Sequence, residues 1–225
     1  MNVDNYKKPI NILYFFLAFI EIVAEYFEYK PLIYLLKPAI PIYLMGLYWI
    51  TSNSKQGVFF LSLFFSCLTN ILLVPNSATM LFYGIIAFSF FRFFSIIVIF
   101  RLVRIKNYLP IMIAMLPFLL ISFYLFMETT IPENSFFILV LQNILISVYA
   151  GIALASYYMD DNKQNSILLI SALLFVVLQF IVFIERYFLN QEYITFLRPV
   201  AMTFNSLAFY SYYRYVIEAE NSNNN

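Results

Sequence analysis

Histidine is absent from this sequence, which removes the side chain most used to move protons near neutral pH and the commonest metal ligand. Cysteine is down to one, Cys67, so neither an internal disulfide nor a thiolate metal site can form. Set in an apolar run, Cys67 reads as a buried, inert thiol. Four glycines leave no phosphate-cradling loop, no small-xxx-small pairing motif and none of the obvious glycine-broken helices that build many transporter sites. Charge is scarce as well, at 11% of residues where soluble domains carry about 25%. A net charge of +1 offers no basic face, so nucleic-acid binding is excluded. No cofactor and no metal are expected. At the N-terminus nothing has the charged, apolar, small-residue order of a cleaved signal, and the first apolar run is read as a retained span.

What is there is apolar. Hydrophobic residues make up 63% and mean hydropathy is +0.83, too oily for a water-facing surface. The chain reads as an integral membrane protein. A hydrocarbon core of about 30 Å takes about 20 residues of helix. Runs of that size fall at roughly 9–27, 31–51, 57–74, 78–100, 108–127, 135–159, 166–188 and 193–216. Turn-forming clusters separate them, among them Tyr29-Lys30-Pro31, Pro75-Asn76-Ser77 and Asp160-Asp161-Asn162-Lys163. The expected fold is all-α, a polytopic transmembrane bundle of about eight helices. The tight first and third breaks leave seven open. The runs are solidly apolar, without the alternation of a β-barrel. One transmembrane domain is expected over 1–217, followed by a polar, fraying tail at 218–225.

Orientation follows from the basic residues. Lys7, Lys8, Lys55, Arg101, Arg104, Lys106, Lys163 and Arg214 fall on the N-terminal side, and only Lys30 and Arg186 on the other. The positive-inside rule then puts both termini in the cytoplasm, in what is expected to be a bacterial inner membrane.

Ionisable groups inside a span cost about 2.5–3.5 kcal/mol even on the lenient insertion scale, so each demands a reason. Glu21 and Glu25 stand in the first span, Lys37 in the second, Asn70 in the third and Arg92 in the fourth. Gln142 and Asn143 follow in the sixth, Gln179 and Glu185 in the seventh, Arg198 and Asn205 in the eighth. Counted from the non-cytoplasmic end at about 1.5 Å per residue, Glu21, Lys37, Asn70, Asn143, Gln179 and Arg198 lie at about 6–13 Å. Arg92 is deeper, at about 21 Å. One reading is separate snorkelling and interhelical hydrogen bonding. The other is a single polar cavity open to the outer leaflet or periplasmic face, with Glu21 and Glu25 neutralising Lys37 or Arg198. Glu21, Glu25 and Glu28 recur at i, i+4, i+7, hence on one helical face. The aromatic content of 21% reads as packing, lipid contact and interfacial belts.

Four short elements share an order and spacing: Leu36-Lys37-Pro38; Ser66-Cys67-Leu68-Thr69-Asn70 with its apolar continuation; Gly84 to Phe88-Ser-Phe-Phe-Arg92; and Ser171-Ala-Leu-Leu-Phe175 running to Gln179, then Glu185-Arg186-Tyr187. Together they resemble the YhhN-like lysoplasmalogenase family, eight-helix membrane proteins. The resemblance implies hydrolysis of the vinyl-ether bond of lysoplasmalogens, with release of an aldehyde. At the positions of that family's two intramembrane aspartates this chain has Asn70 and Gln179, and at its histidine position Arg92. Vinyl-ether cleavage needs a proton delivered to carbon and an activated water, work for a carboxylic acid and a carboxylate. Amides keep shape and hydrogen bonding but exchange no protons, and arginine stays charged. The expectation is a lipid- or lysolipid-binding cavity lined by Lys37, Asn70, Gln179, Arg92, Arg198, Glu21 and Glu25, with hydrolysis impaired or altered. The rival from another class is a small transporter using Glu21, Glu25, Lys37 and Arg92 as a charge pathway.

Overall fold

The computed structural model describes residues 4–75, 77–103, 107–129, 133–188 and 191–224. Eight helices carry the described residues: α1 (Asp4–Tyr26), α2 (Lys30–Thr51), α3 (Gly57–Leu73), α4 (Ala78–Leu102), α5 (Leu109–Met127), α6 (Glu133–Met159), α7 (Lys163–Tyr187) and α8 (Gln191–Asn224). No strand occurs among those residues. Local chemistry sets several boundaries. Pro31 begins α2, where its missing N–H is harmless. Ser77 and Asn162 cap α4 and α7 by accepting from Met80 N and Asn165 N.

Neighbours in sequence pack as neighbours in space, except α4 and α5. The helices α1, α2, α3, α4, α6, α7 and α8 touch in that order and close back on α1. Helix α8 also reaches α2 and α4, so it fills the middle of the ring. Helix α5 lies outside and rests on α6. Gly151 permits that contact: a Cβ there would sit 3.1 Å from Ile111 O and 3.2 Å from Met115 N. The scarcity of glycine hid this close approach from the sequence reading.

Six of the helices are long and apolar enough to cross a bilayer, and large apolar side chains such as Phe16, Phe19, Ile50, Leu120 and Phe123 face outward. In water such a surface would aggregate; in lipid it is the solvent-matched face. The chain is an integral membrane protein. Helix α3, at 17 residues, is short for a span, and α8 is less apolar than the rest because it meets protein on most sides. Its inward face stacks Phe209 against Phe91 and Phe175, with ring centroids 4.9 and 5.3 Å apart, and buries Tyr212 and Tyr215. Small hydroxyls in the interfaces bond back to their own helices, as Ser95 does to Phe91 O at 2.8 Å and Ser147 to Asn143 O at 2.7 Å.

The C-terminal end differs from the frayed tail expected. Helix α8 runs on to Asn224, and Ala219 and Glu220 are buried. Tyr48 Oη donates to one carboxylate oxygen of Glu220, and Ser52 Oγ donates to the other at 2.6 Å. Polarity misled the reading because the partners of Glu220 lie on α2.

Candidate functional site

The odd-numbered helices end, and the even-numbered ones begin, at the face opposite the chain termini. A cavity of about 560 Å³ opens there, between α1, α2, α3, α4, α6, α7 and α8. Its wall runs from Arg186 and Lys30 at the rim inward to Phe88 and Phe209, about midway along α4 and α8. Beyond that depth Tyr48, Phe59, Leu63 and Tyr212 fill the bundle.

Lys37, Asn70, Gln179, Arg198 and Glu25 all line this one space. Lys37 Nζ pairs with Glu25 at 2.5 Å, α2 to α1. Glu21, one turn deeper on α1, is buried behind the wall, and its Oε2 has no hydrogen-bond partner. The place of Asn70 follows from a proline. Pro41 has no N–H to give the carbonyl four residues back, which belongs to Lys37. Asn70 Nδ2 supplies the missing donor to Lys37 O at 3.1 Å. Cys67 Sγ lies 3.7 Å from Pro38 O, and the thiol is half-buried, not fully buried as its apolar run suggests.

Arg92 also stands behind the wall. It is 2% exposed, with its guanidinium 4.6 Å from the centroid of Phe88 and 5.8 Å from that of Phe175. Its Nη2 donates to Gln179 Oε1 at 3.1 Å, while Nε has no partner. Among the described residues no carboxylate pairs with it. Arginine has donors alone, so Gln179 turns its carbonyl oxygen toward Arg92 and keeps its amide N–H groups for other partners.

Arg198 takes a partner other than the expected Glu21 or Glu25: its Nε pairs with Glu185 at 3.1 Å, across the α7–α8 hairpin. Gln142 lines the cavity and donates to Ile85 O at 2.9 Å, and Asn205 also lines it, while Asn143 does not. Lys30 and Arg186, counted from the sequence for orientation, and Glu28, placed there on one face with Glu21 and Glu25, also line the cavity. The signal that finds them is topological, since each flanks a break at the same end as Lys37.

The chemistry available is therefore mostly donation. The positions at 70 and 179 carry amides, and of the carboxylates in the wall Glu25 is tied to Lys37 and Glu185 to Arg198. A model of the YhhN family matches residues 32–213, from the first turn of α2 to well into α8, so Glu21 and Glu25 lie outside the match and Lys37, Asn70, Arg92, Gln179 and Arg198 inside it. No curated protein and no solved structure matches the chain.

Proposed function

The chain belongs to the YhhN family, and on that footing we propose that it binds a single-chain lipid, a lysolipid, in the one-ended cavity, with vinyl-ether hydrolysis impaired or altered. The observation that carries the reading is the cavity itself, about 560 Å³ with polar groups converging inside an apolar bundle. That volume suits a headgroup and the start of a chain. Lys37 and Arg198 face it and would hold a phosphate, while Asn70 and Gln179 offer hydrogen bonds. Hydrolysis of the kind performed by lysoplasmalogenases asks for proton exchange, which the amides at 70 and 179 cannot perform. The wall stops about midway through the bundle, which favours holding a ligand over passing one across. With both termini in the cytoplasm of a bacterial inner membrane, the mouth faces the outer leaflet.

The test is lipid extraction from protein purified in mild detergent, followed by mass spectrometry. Single-chain phospholipids should be enriched over the bulk membrane extract, and Lys37→Met should lower that enrichment at least several-fold. Co-purified lipid with the bulk composition overturns the reading.

A further inference from the structure

The charges around the cavity do not balance. Four cations, Lys30, Lys37, Arg186 and Arg198, face three carboxylates, Glu25, Glu28 and Glu185. Two of those cations are answered: Lys37 by Glu25 and Arg198 by Glu185. Glu28 is engaged as well. Lys30 and Arg186, at the rim, have no counter-ion among the described residues. Behind the wall stand one buried cation, Arg92, whose hydrogen bond goes to the neutral Gln179, and one buried carboxylate, Glu21, so the surplus stays at one positive charge. The Arg92 bond occupies the amide oxygen of Gln179, a lining residue, and leaves its N–H groups as the end able to donate to a ligand.

An incoming headgroup thus meets surplus positive charge, spare donors and no unengaged carboxylate among the described lining residues. A phosphate fits this field. An ammonium does not, because the carboxylates that would receive it already hold Lys37 and Arg198. The face of Phe88 already carries Arg92 at 4.6 Å, and the other lining rings, Tyr34, Phe183, Tyr187 and Phe209, would have to receive an ammonium without a carboxylate to neutralise it. Lys30 and Arg186 are exposed at the mouth, so water and salt screen them and their pull acts on a headgroup within about 8–10 Å.

We infer that the occupant carries an anionic phosphate headgroup without an amine, of the lysophosphatidylglycerol or lysophosphatidic acid kind, and that Lys30 and Arg186 select it over choline and ethanolamine headgroups. The inference rests on the lipid-binding reading above. A soluble glycerophosphate shares the same anion and must be separated from the lipid.

Affinities would be measured on the full chain in non-ionic detergent for three probes: lysophosphatidylglycerol, lysophosphatidylcholine with the same acyl chain, and glycerol 3-phosphate. The anionic lysolipid should bind at least tenfold tighter than the choline lysolipid, and glycerol 3-phosphate at least a hundredfold weaker. In Lys30→Gln with Arg186→Gln the headgroup preference should fall below about threefold, with an unchanged thermal-melt midpoint in the same detergent as the check on folding. Equal binding of the two lysolipids, or preference for choline, overturns the inference and leaves the lipid reading intact. Preference that survives the double substitution overturns the assignment to Lys30 and Arg186. Binding of neither lysolipid overturns the lipid reading, and tight glycerol 3-phosphate with no gain from a chain assigns the cavity to a soluble anion instead.

Discussion

Asn70 and Pro41 act on one carbonyl from two helices. Pro41 removes the helical donor to Lys37 O, and Asn70 restores one from α3. Interhelical hydrogen bonds in membranes average about 0.6 kcal/mol, and an orphaned buried carbonyl raises that toward 1–2 kcal/mol, about the upper end measured. Asn70→Ala should therefore lower unfolding stability by about 1 kcal/mol. In a Pro41→Ala background, where the backbone N–H returns, the same change should cost less than half as much. A double-mutant cycle by denaturant titration in detergent measures this, and additive losses would refute the shared carbonyl. The second residue-level prediction concerns chemistry. Purified protein should release aldehyde from lysoplasmalogen only at background, since general acid–base groups contribute about 10²–10⁴-fold each and do not act singly. Gln179→Asp alone should not restore turnover, because Arg92 waits beside that position and would hold the new carboxylate as an ion pair. The combination Asn70→Asp, Gln179→Asp and Arg92→His should raise aldehyde release above background. Robust turnover by the unaltered protein would direct attention to Glu25. The sequence disclosed these residues through one physical fact, the cost of polarity at membrane depth, but depth is an axial coordinate. It says nothing of rotation about each helix, so the Arg92–Gln179 bond and the Arg198–Glu185 pair were beyond it.

At the scale of the element, hydropathy located all eight helices because each turn between them is polar and each interior is not. The same averaging failed at the end of α8. A window sees Glu218, Glu220 and the asparagines as one polar tail, whereas the structure separates buried Glu220 from exposed Ser222. Glu220 fastens the last turns of α8 to the end of α2 through Tyr48 and Ser52, and Tyr48 Oη in turn accepts from Gln56 N at 2.9 Å. Removing the carboxylate strands two buried hydroxyl donors, a loss of about 1–3 kcal/mol. For a chain of this size each kcal/mol moves the midpoint by about 2–4 °C. Glu220→Ala should thus melt about 3–10 °C lower, whereas deletion of 222–225 should leave the midpoint unchanged within about 1 °C. Thermal melts of both variants in one detergent decide it, and a neutral Glu220→Ala would mean that α8 is held by its apolar face alone. The peripheral place of α5 was equally hidden. High apolarity marks a helix as membrane-embedded without telling lipid neighbours from protein ones, and α5 is highly apolar because lipid covers most of it.

For the whole molecule, an even number of helices places the two termini on one face and the cavity mouth on the other. Which face is which depends on the basic residues. The end that bears the termini also bears Lys55, Arg101, Lys163 and Arg214, where Lys163 pairs with Glu218 at 2.9 Å. The mouth end holds Lys30 and Arg186, and both belong to the cavity rim instead of a cytoplasmic loop. Even with those two counted, the basic residues favour the end that bears the termini by eight to two. The termini should then be cytoplasmic and the mouth periplasmic. Reporter fusions after Arg104 and after Asn225 should read cytoplasmic, and one after Pro132 periplasmic. A finer check uses Lys30→Cys in a Cys67→Ser background. A membrane-impermeant maleimide added to intact cells should label the rim cysteine, and Ser222→Cys should react only after permeabilisation. The reverse pattern would invert the protein, turn the cavity toward the cytoplasmic leaflet, and change which pool of lipid can enter it.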